Sequence, residues 1–401
     1  MNAMLSFEDA IQIIATSVLP NETEHVVLED ATGRFLVCEI FSDTTLPMYN
    51  SAFKDGFAVR FAEVSGAAVD KPVTLKITGE SFAGGAYRQE PFPPQSACKI
   101  TTGAYIPQNF DTVIPWEDCR TQGEDVVVTK PPRAGQDVTP AGQELNGGER
   151  ILRKGLKLCP ADIGLAAAAG HARLPVVRAP RVGIISTGNE LVLPGQPLRD
   201  GQIYSSNQFQ LKTQIKSMQM QAETRIIKDD FDATRDGVLE MIKHNDVLIS
   251  SGGSADSEKD FMRHVLRELD WHIMVENVNI KPGHTLRFGM LHNKPFFVLP
   301  GTPSGTEICF NIFVVPLLLK MAGAEHAKLK TVYARLREKI KGSPHTKTIA
   351  QAILSFEPEG PVLDQVPKAC GRIKSIARKN ALVIVPCEGF AAGQVVEALI
   401  V

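Results

Sequence analysis

Aromatic residues make up only 6% of the chain, and no two cysteines take a C-x-x-C spacing. The first shortage argues against a single large aromatic core. The second removes the common zinc and dithiol motifs. The seven cysteines (Cys38, Cys98, Cys119, Cys159, Cys309, Cys370 and Cys387) are scattered, mostly in apolar runs such as Phe35-Leu36-Val37-Cys38. Buried reduced thiols are therefore expected. An excess of either charge is also missing: 43 basic residues against 45 acidic leave a net charge of −2. That balance speaks against nucleic acid or an anionic membrane as the main partner. No apolar run reaches the length of a membrane span, and the first residues lack a basic segment followed by an apolar one, so a cytoplasmic location is expected.

Glycine and proline, by contrast, are plentiful, at 32 and 26 in 401 residues. A chain of that length exceeds one ordinary core, and its many turn formers predict several modules. Residues 6–18 read as an amphipathic helix. Ser6 is placed to cap it, Glu8 and Asp9 lie in the first turn, and Ala10, Ile11, Ile13 and Ile14 form an apolar face. A second helix is expected from about Asp30 to Leu36, although Gly33 weakens it.

From Ser51 to about Glu144 the texture becomes short alternating runs, such as Val73-Thr74-Leu75-Lys76-Ile77, between turns. This predicts an all-β module inserted into a linker region, with helical character returning at 161–170. Over 181–325 short apolar strands alternate with helix-like stretches. That rhythm predicts a doubly wound parallel sheet, whose ligands sit beyond the carboxyl ends of the strands. From about 330 onward β-like runs recur and predict a small C-terminal β domain.

The α/β segment places small and polar residues where its strands end. The clusters are Ser186-Thr187-Gly188-Asn189-Glu190, Ser250-Ser251-Gly252-Gly253-Ser254, Lys281-Pro282-Gly283-His284-Thr285 and Leu299-Pro300-Gly301-Thr302-Pro303-Ser304. Glycine lets backbone N–H groups approach an anion, and hydroxyls add donors. One such loop is an ordinary turn, but four in one sheet point to an anionic ligand. Glu190, Asp229, Asp230, Asp256, Glu258 and Asp260 lie beside them. These acids could hold Mg²⁺ against a phosphate, or simply favour helix N-termini. Asp55-Gly56 before a β run is a turn signal, so a structural role is its first reading. His284 is the one histidine in an obviously chemical setting.

Several of these stretches are identifiable together. Leu46–Val59, with its ending Asp55-Gly56-Phe57-Ala58-Val59, resembles the signature of the molybdopterin molybdenumtransferase (MoeA/gephyrin E-domain) family. So do Gly79–Gly84, Thr101-Thr102-Gly103-Ala104, Ser186–Leu191, Gly201–Asn207, Asp246–Gly253, Ile280–Gly283 and Leu299–Pro303, in family order along nearly the whole chain. The resemblance implies a discontinuous linker domain (1–50 and 145–177), an inserted β domain (51–144), a molybdopterin-binding α/β domain (178–327) and a C-terminal β-barrel (328–401). It implies a homodimer whose active site joins the α/β domain of one subunit to the inserted domain of the other. It also implies Mg²⁺-dependent insertion of molybdenum from molybdate into adenylylated molybdopterin with release of AMP, on substrate passed from a molybdopterin adenylyltransferase within a set of cofactor-biosynthesis proteins.

Carried over residue by residue, Asp55, Glu144, Asp260 and Lys281 fall on catalytic positions, and Glu190, Asp229 and Asp230 on metal positions. Thr102, Ser186, Thr187, Gly188, Ser250, Gly252, Gly253, Pro282, Gly283, His284, Pro300, Gly301 and Pro303 fall on substrate-binding ones. Some positions depart from the pattern. Ser254-Ala255-Asp256-Ser257 replaces a Val-Ser-x-Gly run, His284 and Thr285 replace lysine and proline, and Thr302 replaces asparagine. Thr139-Pro140-Ala141 stands for an arginine-rich patch, Gly142-Gln143-Glu144 for Gly-Glu-Asp, and Gln351 for an arginine. A divergent paralogue acting as a carrier, chaperone or regulator is the alternative to the enzyme. The retained acids Asp55, Glu190 and Asp260 favour the enzyme.

Overall fold

Ser6 caps the first helix, Phe7–Thr16, by accepting a hydrogen bond from the Asp9 amide, and Phe7, Ala10 and Ile14 form its buried stripe. This is the predicted helix with its predicted cap. In the computed structural model residues 4–86, 92–253, 261–366 and 372–401 are described. The chain divides into two units, Met1–Cys38 with Lys154–Cys159 and Leu174–Val401, and Glu39–Arg153 with Pro160–Arg173.

The first unit contains the α/β domain. Its strands are β1 (Arg181–Thr187), β2 (Gln221–Ile227), β3 (Val247–Ser251), β4 (His272–Glu276), β5 (Arg287–Leu291) and β6 (Lys294–Leu299). They form one six-stranded sheet in the order β2-β1-β3-β6-β5-β4. β2, β1, β3 and β6 run parallel, and β5 lies antiparallel to both β6 and β4. Side chains alternate between two cores. Ile184 and Phe297 face one side with Phe7 and Ile14, while Ile185, Phe296 and Val298 face the other with Val238 and Met262. Burial on both faces explains the apolar runs of the central strands β1, β3 and β6, whereas β2 and β4 are partly exposed.

The helices are α1 (Asn207–Ser217), α2 (Phe231–His244), α3 (Phe261–Glu268), α4 (Pro303–Met321) and, following the next domain's third strand, α5 (Arg372–Arg378). A π-helical stretch, Phe310–Val314, interrupts α4. At 19 residues α4 has the length and apolarity of a membrane span, which the sequence reading had not expected, and it lies 78% buried inside the unit.

The last five strands close into a barrel. Lys347–Glu357, Gly360–Gln365, Thr331–Leu336, Val395–Ile400 and Ala381–Val385 pair in that order, and the last returns to the first. Ala334, Ala350, Ala352, Ala381 and Ala398 fill much of its interior, the small volume that five strands enclose. The pair Ile280–Lys281 adds to its Lys347 edge. The second unit holds a six-stranded sheet in the order Thr112–Pro115, Gly56–Val59, Ser96–Ile100, Val73–Ser81, Asp125–Val128 and Cys119–Gln122. Ile40–Phe41 pairs with Arg150–Leu152, and a helix spans Pro160–Ala168.

Two further expectations need correction. No helix covers 31–36: a single 3-10 turn spans Leu28–Asp30 and ends there. Gly33 then takes φ +81°, and the chain hydrogen-bonds to Leu156 and Leu158. The cysteines are also less buried than expected. Cys98 and Cys309 are buried and Cys119 half-buried, but Cys38, Cys159 and Cys387 are exposed, and Cys370 lies outside the described residues. Burial pushes the Cys119 thiol up to about 11, with Asp118 and Glu117 adding to it.

Candidate active site

The chain leaves β1 toward β2 on one side and returns past it to β3 on the other. A crevice is therefore expected where the two loops part, at the carboxyl ends of β1 and β3. A cavity of about 600 Å³ lies there. Ser186, Thr187, Gly188 and Glu190 line it from the β1 loop, Asp229 from the β2 loop, Gly252 and Gly253 from the β3 loop, and Gly301 and Pro303 from the β6 loop. Three of the four predicted glycine loops thus meet in one cavity. The backbone explains why glycine stands there. Gly188 has φ +150°, and a Cβ on it would lie 2.5 Å from the Glu190 carboxylate. Gly252 has φ +109° and sits 3.2 Å from the Thr187 hydroxyl by the same measure.

The loops brace one another. Asn189 donates its amide to Asp229 Oδ2 at 3.1 Å, and Asp229 returns its amide to Asn189 Oδ1 at 3.2 Å. Asn207, opening α1, donates from Nδ2 to Ser251 Oγ at 2.8 Å, to the Gly301 carbonyl at 3.0 Å and to Thr306 Oγ1 at 3.2 Å. It therefore ties the end of β3, the β6 loop and the start of α4 together from inside the cavity. Two atoms of this wall, Asn207 Oδ1 and the buried Ser186 Oγ, find no hydrogen-bond partner among the described residues. Buried polar atoms of this kind cost free energy unless a ligand or water meets them. Ser250 serves the loop itself, donating to the Gly252 carbonyl at 2.9 Å.

The third glycine loop goes elsewhere. Lys281 and Pro282 line a second cavity of about 760 Å³, together with Ser304, Lys339, Lys341 and Gln351. Its basic lining comes from the α/β domain and from the segment between the barrel strands Thr331–Leu336 and Lys347–Glu357. Gln351 Nε2 is buried without a hydrogen-bond partner among the described residues, so an N–H donor is left over in a lysine-rich cavity. Gly283 is buried beneath Cys309, and His284 is exposed. The loop from Pro300 to Ser304 stands between the cavities: Gly301 and Pro303 line the first and Ser304 the second. α5 does the same, with Ile373 lining the first and Ser375 the second. Pro300 is buried, and its carbonyl accepts from Thr306 Oγ1.

The acids divide by role. Glu190 and Asp229 face the first cavity. Asp230 instead caps α2, accepting from the Ala233 amide at 2.8 Å. No cluster of three metal-ligating side chains occurs among the described residues. Mg²⁺ does not require one, since it takes one or two carboxylates and completes its shell with phosphate oxygens and water. Glu190 and Asp229 fit that pattern. Asp256, Glu258 and Asp260 lie outside the described residues.

In the second unit, Asp55 and Thr102 meet. Asp55 Oδ1 accepts the Thr102 amide at 2.7 Å and its hydroxyl at 2.8 Å. These two donors, the amide first, hold the Asp55 carboxyl below its ordinary range. Both residues are exposed, and so is Glu144, which donates its amide to the Leu46 carbonyl at 2.9 Å. The arrangement keeps an ionised, oriented carboxylate at the surface. Sequence reasoning had not singled out Asn207, Lys339 or Lys341 as site residues, though Asn207 lies in the quoted run Gly201–Asn207; Ser251 stood only as a member of the strand-end cluster Ser250–Ser254.

Comparison with known proteins gives this geometry a family. Residues 5–170 match the MoeA N-terminal region (domain I and II), and residues 183–320 match a probable molybdopterin binding domain. A molybdopterin molybdenumtransferase of Haemophilus influenzae is 33% identical over 312 residues, covering 77% of this chain and 75% of that protein. One from a Nostoc species is 30% identical over 384 residues, covering 91% and 85%. A crystal structure of a molybdopterin biosynthesis MoeA protein from Pyrococcus horikosii superposes with a TM-score of 0.83 at 29% identity, covering 99% of both chains. The chain belongs to the molybdopterin molybdenumtransferase family.

Proposed function

We propose that this chain is a transferase of molybdenum cofactor biosynthesis that joins molybdate to the dithiolene of adenylylated molybdopterin and releases AMP. The observation that carries the reading is the pair of cavities separated by the loop from Pro300 to Ser304. One suits a pterin nucleotide and the other an inorganic oxyanion.

In the first cavity the Ser186 and Thr187 hydroxyls and the open backbone at Gly188, Gly252 and Gly253 receive the nucleotide's phosphates. Asn207 Oδ1 offers an acceptor to an N–H of the ligand. Glu190 and Asp229 would hold Mg²⁺, which when bound neutralises phosphate charge and polarises the phosphoanhydride. In the second cavity Lys281, Lys339 and Lys341 supply positive charge for molybdate, and Gln351 Nε2 supplies a neutral donor. Gln351 cannot make the bidentate grip of an arginine. Pro300 and Pro303 hold the wall between the two substrates. Asp260 remains an assigned catalytic acid on the strength of the family resemblance alone.

The same reading assigns a homodimer in which Asp55, Thr102 and Glu144 of a partner subunit complete the site. It assigns domain bounds of 1–50 with 145–177, 51–144, 178–327 and 328–401, and a cytoplasmic location next to a molybdopterin adenylyltransferase. Purified protein given adenylylated molybdopterin, Mg²⁺ and molybdate should release AMP and yield active cofactor, and Asp260→Asn should stop it. Tight nucleotide binding without molybdate-dependent AMP release would replace the transferase with a carrier.

A further inference from the structure

A charged pair lies deep in the first unit where neither cavity uses it. Glu307 of α4 and Lys379, just past α5, form an ion pair with side chains only 2% and 4% exposed. Asn311 Nδ2 donates to the Glu307 carbonyl at 2.9 Å and to its carboxylate. Gln214 of α1 donates from Nε2 to Asn311 Oδ1 at 2.8 Å. One polar chain thus runs from α1 through α4 to the end of α5. Glu307 Oε2 has no hydrogen-bond partner among the described residues, so even this network leaves the carboxylate incompletely met. Burial pushes the Glu307 carboxyl above its ordinary range, against the pull of Lys379.

A pair of this kind is a poor stabiliser, because apolar side chains of equal volume usually serve stability as well or better. What it adds is orientation, since hydrogen bonds fix a register that apolar packing leaves free to slide. The elements it joins are those that form the partition between the cavities. α4 begins at Pro303, which lines the first cavity, and continues through Ser304 and Ile308, which line the second. α5 contributes Ile373 to the first cavity and Ser375 to the second.

We propose that Glu307 and Lys379 are positioning residues that set the partition between the two cavities, so that the ligands held on either side come into register for reaction. Neither residue lines either of the two cavities, so both act through the elements that do. The proposal rests on the two-cavity reading above, and its test is arranged to fail separately from that reading.

The informative variant is E307L/K379M, which removes both charges and leaves neither buried alone. It should melt within a few degrees of the wild type, bind molybdate and adenylylated molybdopterin with KM values within about twofold, and lose at least about tenfold in kcat. Unchanged kcat, or a loss that tracks melting temperature, would overturn the proposal. K379R, which keeps the charge and alters the reach, should lower kcat with both KM values unchanged; it carries the test if the double variant does not fold. A second readout does not depend on turnover. Molybdate titrated calorimetrically with and without saturating AMP should give different Kd values in the wild type and equal ones in E307L/K379M. A wild type that releases no AMP but keeps this coupling refutes the transferase and leaves the positioning role standing. Equal Kd values in the wild type refute the positioning role.

Discussion

Gly283→Ala should destabilise the first unit by about 2–5 kcal/mol, and Cys309→Ala should restore part of that loss. Gly283 has φ +111°, and a Cβ there would lie 2.6 Å from Cys309 Sγ and 3.0 Å from Ile280 Cδ1. The left-handed backbone costs an L-residue about 1–2 kcal/mol. Forcing a methyl into close-packed surroundings adds about 1–3 kcal/mol. Cys309 is fully buried in α4 and cannot swing away, so the overlap has to move backbone. Removing Sγ by Cys309→Ala opens that space at the cost of a small cavity. The double variant should then recover about 1–3 kcal/mol relative to the sum of the singles, while the backbone term persists. Urea unfolding can follow this in a Trp116→Phe background. Trp271, packed at the edge of Phe296 in the α/β domain, is then the one tryptophan left. Because the chain has two units, only the Trp271 transition is compared. Strict additivity of the two variants would refute the close-approach argument. Since Gly283 follows Lys281-Pro282, the single variant should also weaken molybdate binding.

Other consequences are more local. Thr102→Val removes one of two donors to Asp55, so the Asp55 carboxyl should titrate closer to its ordinary value while the Thr102 amide bond remains; carbon-detected NMR reads this directly. Gln351→Arg puts a fixed positive charge into the lysine-lined cavity and should tighten molybdate binding severalfold, seen as a lower KM with little change in kcat. Asp246 opposes its own burial through two bonds from Arg178, at 2.7 and 3.0 Å, and one from the Arg181 amide at 2.8 Å. Burial disfavours its charge, yet Arg178 and the Arg181 amide outweigh it and depress the carboxyl. A depressed carboxyl stabilises the fold above its unfolded pKa of about 4 and loses that contribution as pH falls through the folded value. Asp246→Asn should therefore cost about 1.5–3 kcal/mol at neutral pH and flatten the acid limb of the stability profile.

What could be read from the sequence is what depends on short stretches of chain. Ser186–Glu190 and Ser250–Gly253 announce themselves, because a buried parallel strand must be apolar and the loop beyond it small and polar. The first helix and its Ser6 cap are legible for the same reason. The turn after Asp30 was not, because Gly33 is set by hydrogen bonding to Leu158, far along the chain. The division of the glycine loops between two cavities was equally hidden. Lys281 and Gly252 look alike as strand-end residues, and only the fold, which sets Lys281 around one cavity with Lys339, Lys341 and Gln351 and Gly252 around another, separates them. Asn207 carries no sign that its amide will join a strand end, a loop and a helix. Glu307 and Lys379 are 72 residues apart, and each reads alone as a surface charge until the fold buries both.

The central claim is that each cavity holds one of the two substrates, and steady-state AMP release measured against both concentrations tests it most directly. Asn207→Ala should raise the KM for adenylylated molybdopterin at least about tenfold and leave the KM for molybdate within about twofold. Lys281→Ala should do the reverse. Variants that raise both KM values together, or AMP release that does not depend on molybdate, would contradict the account.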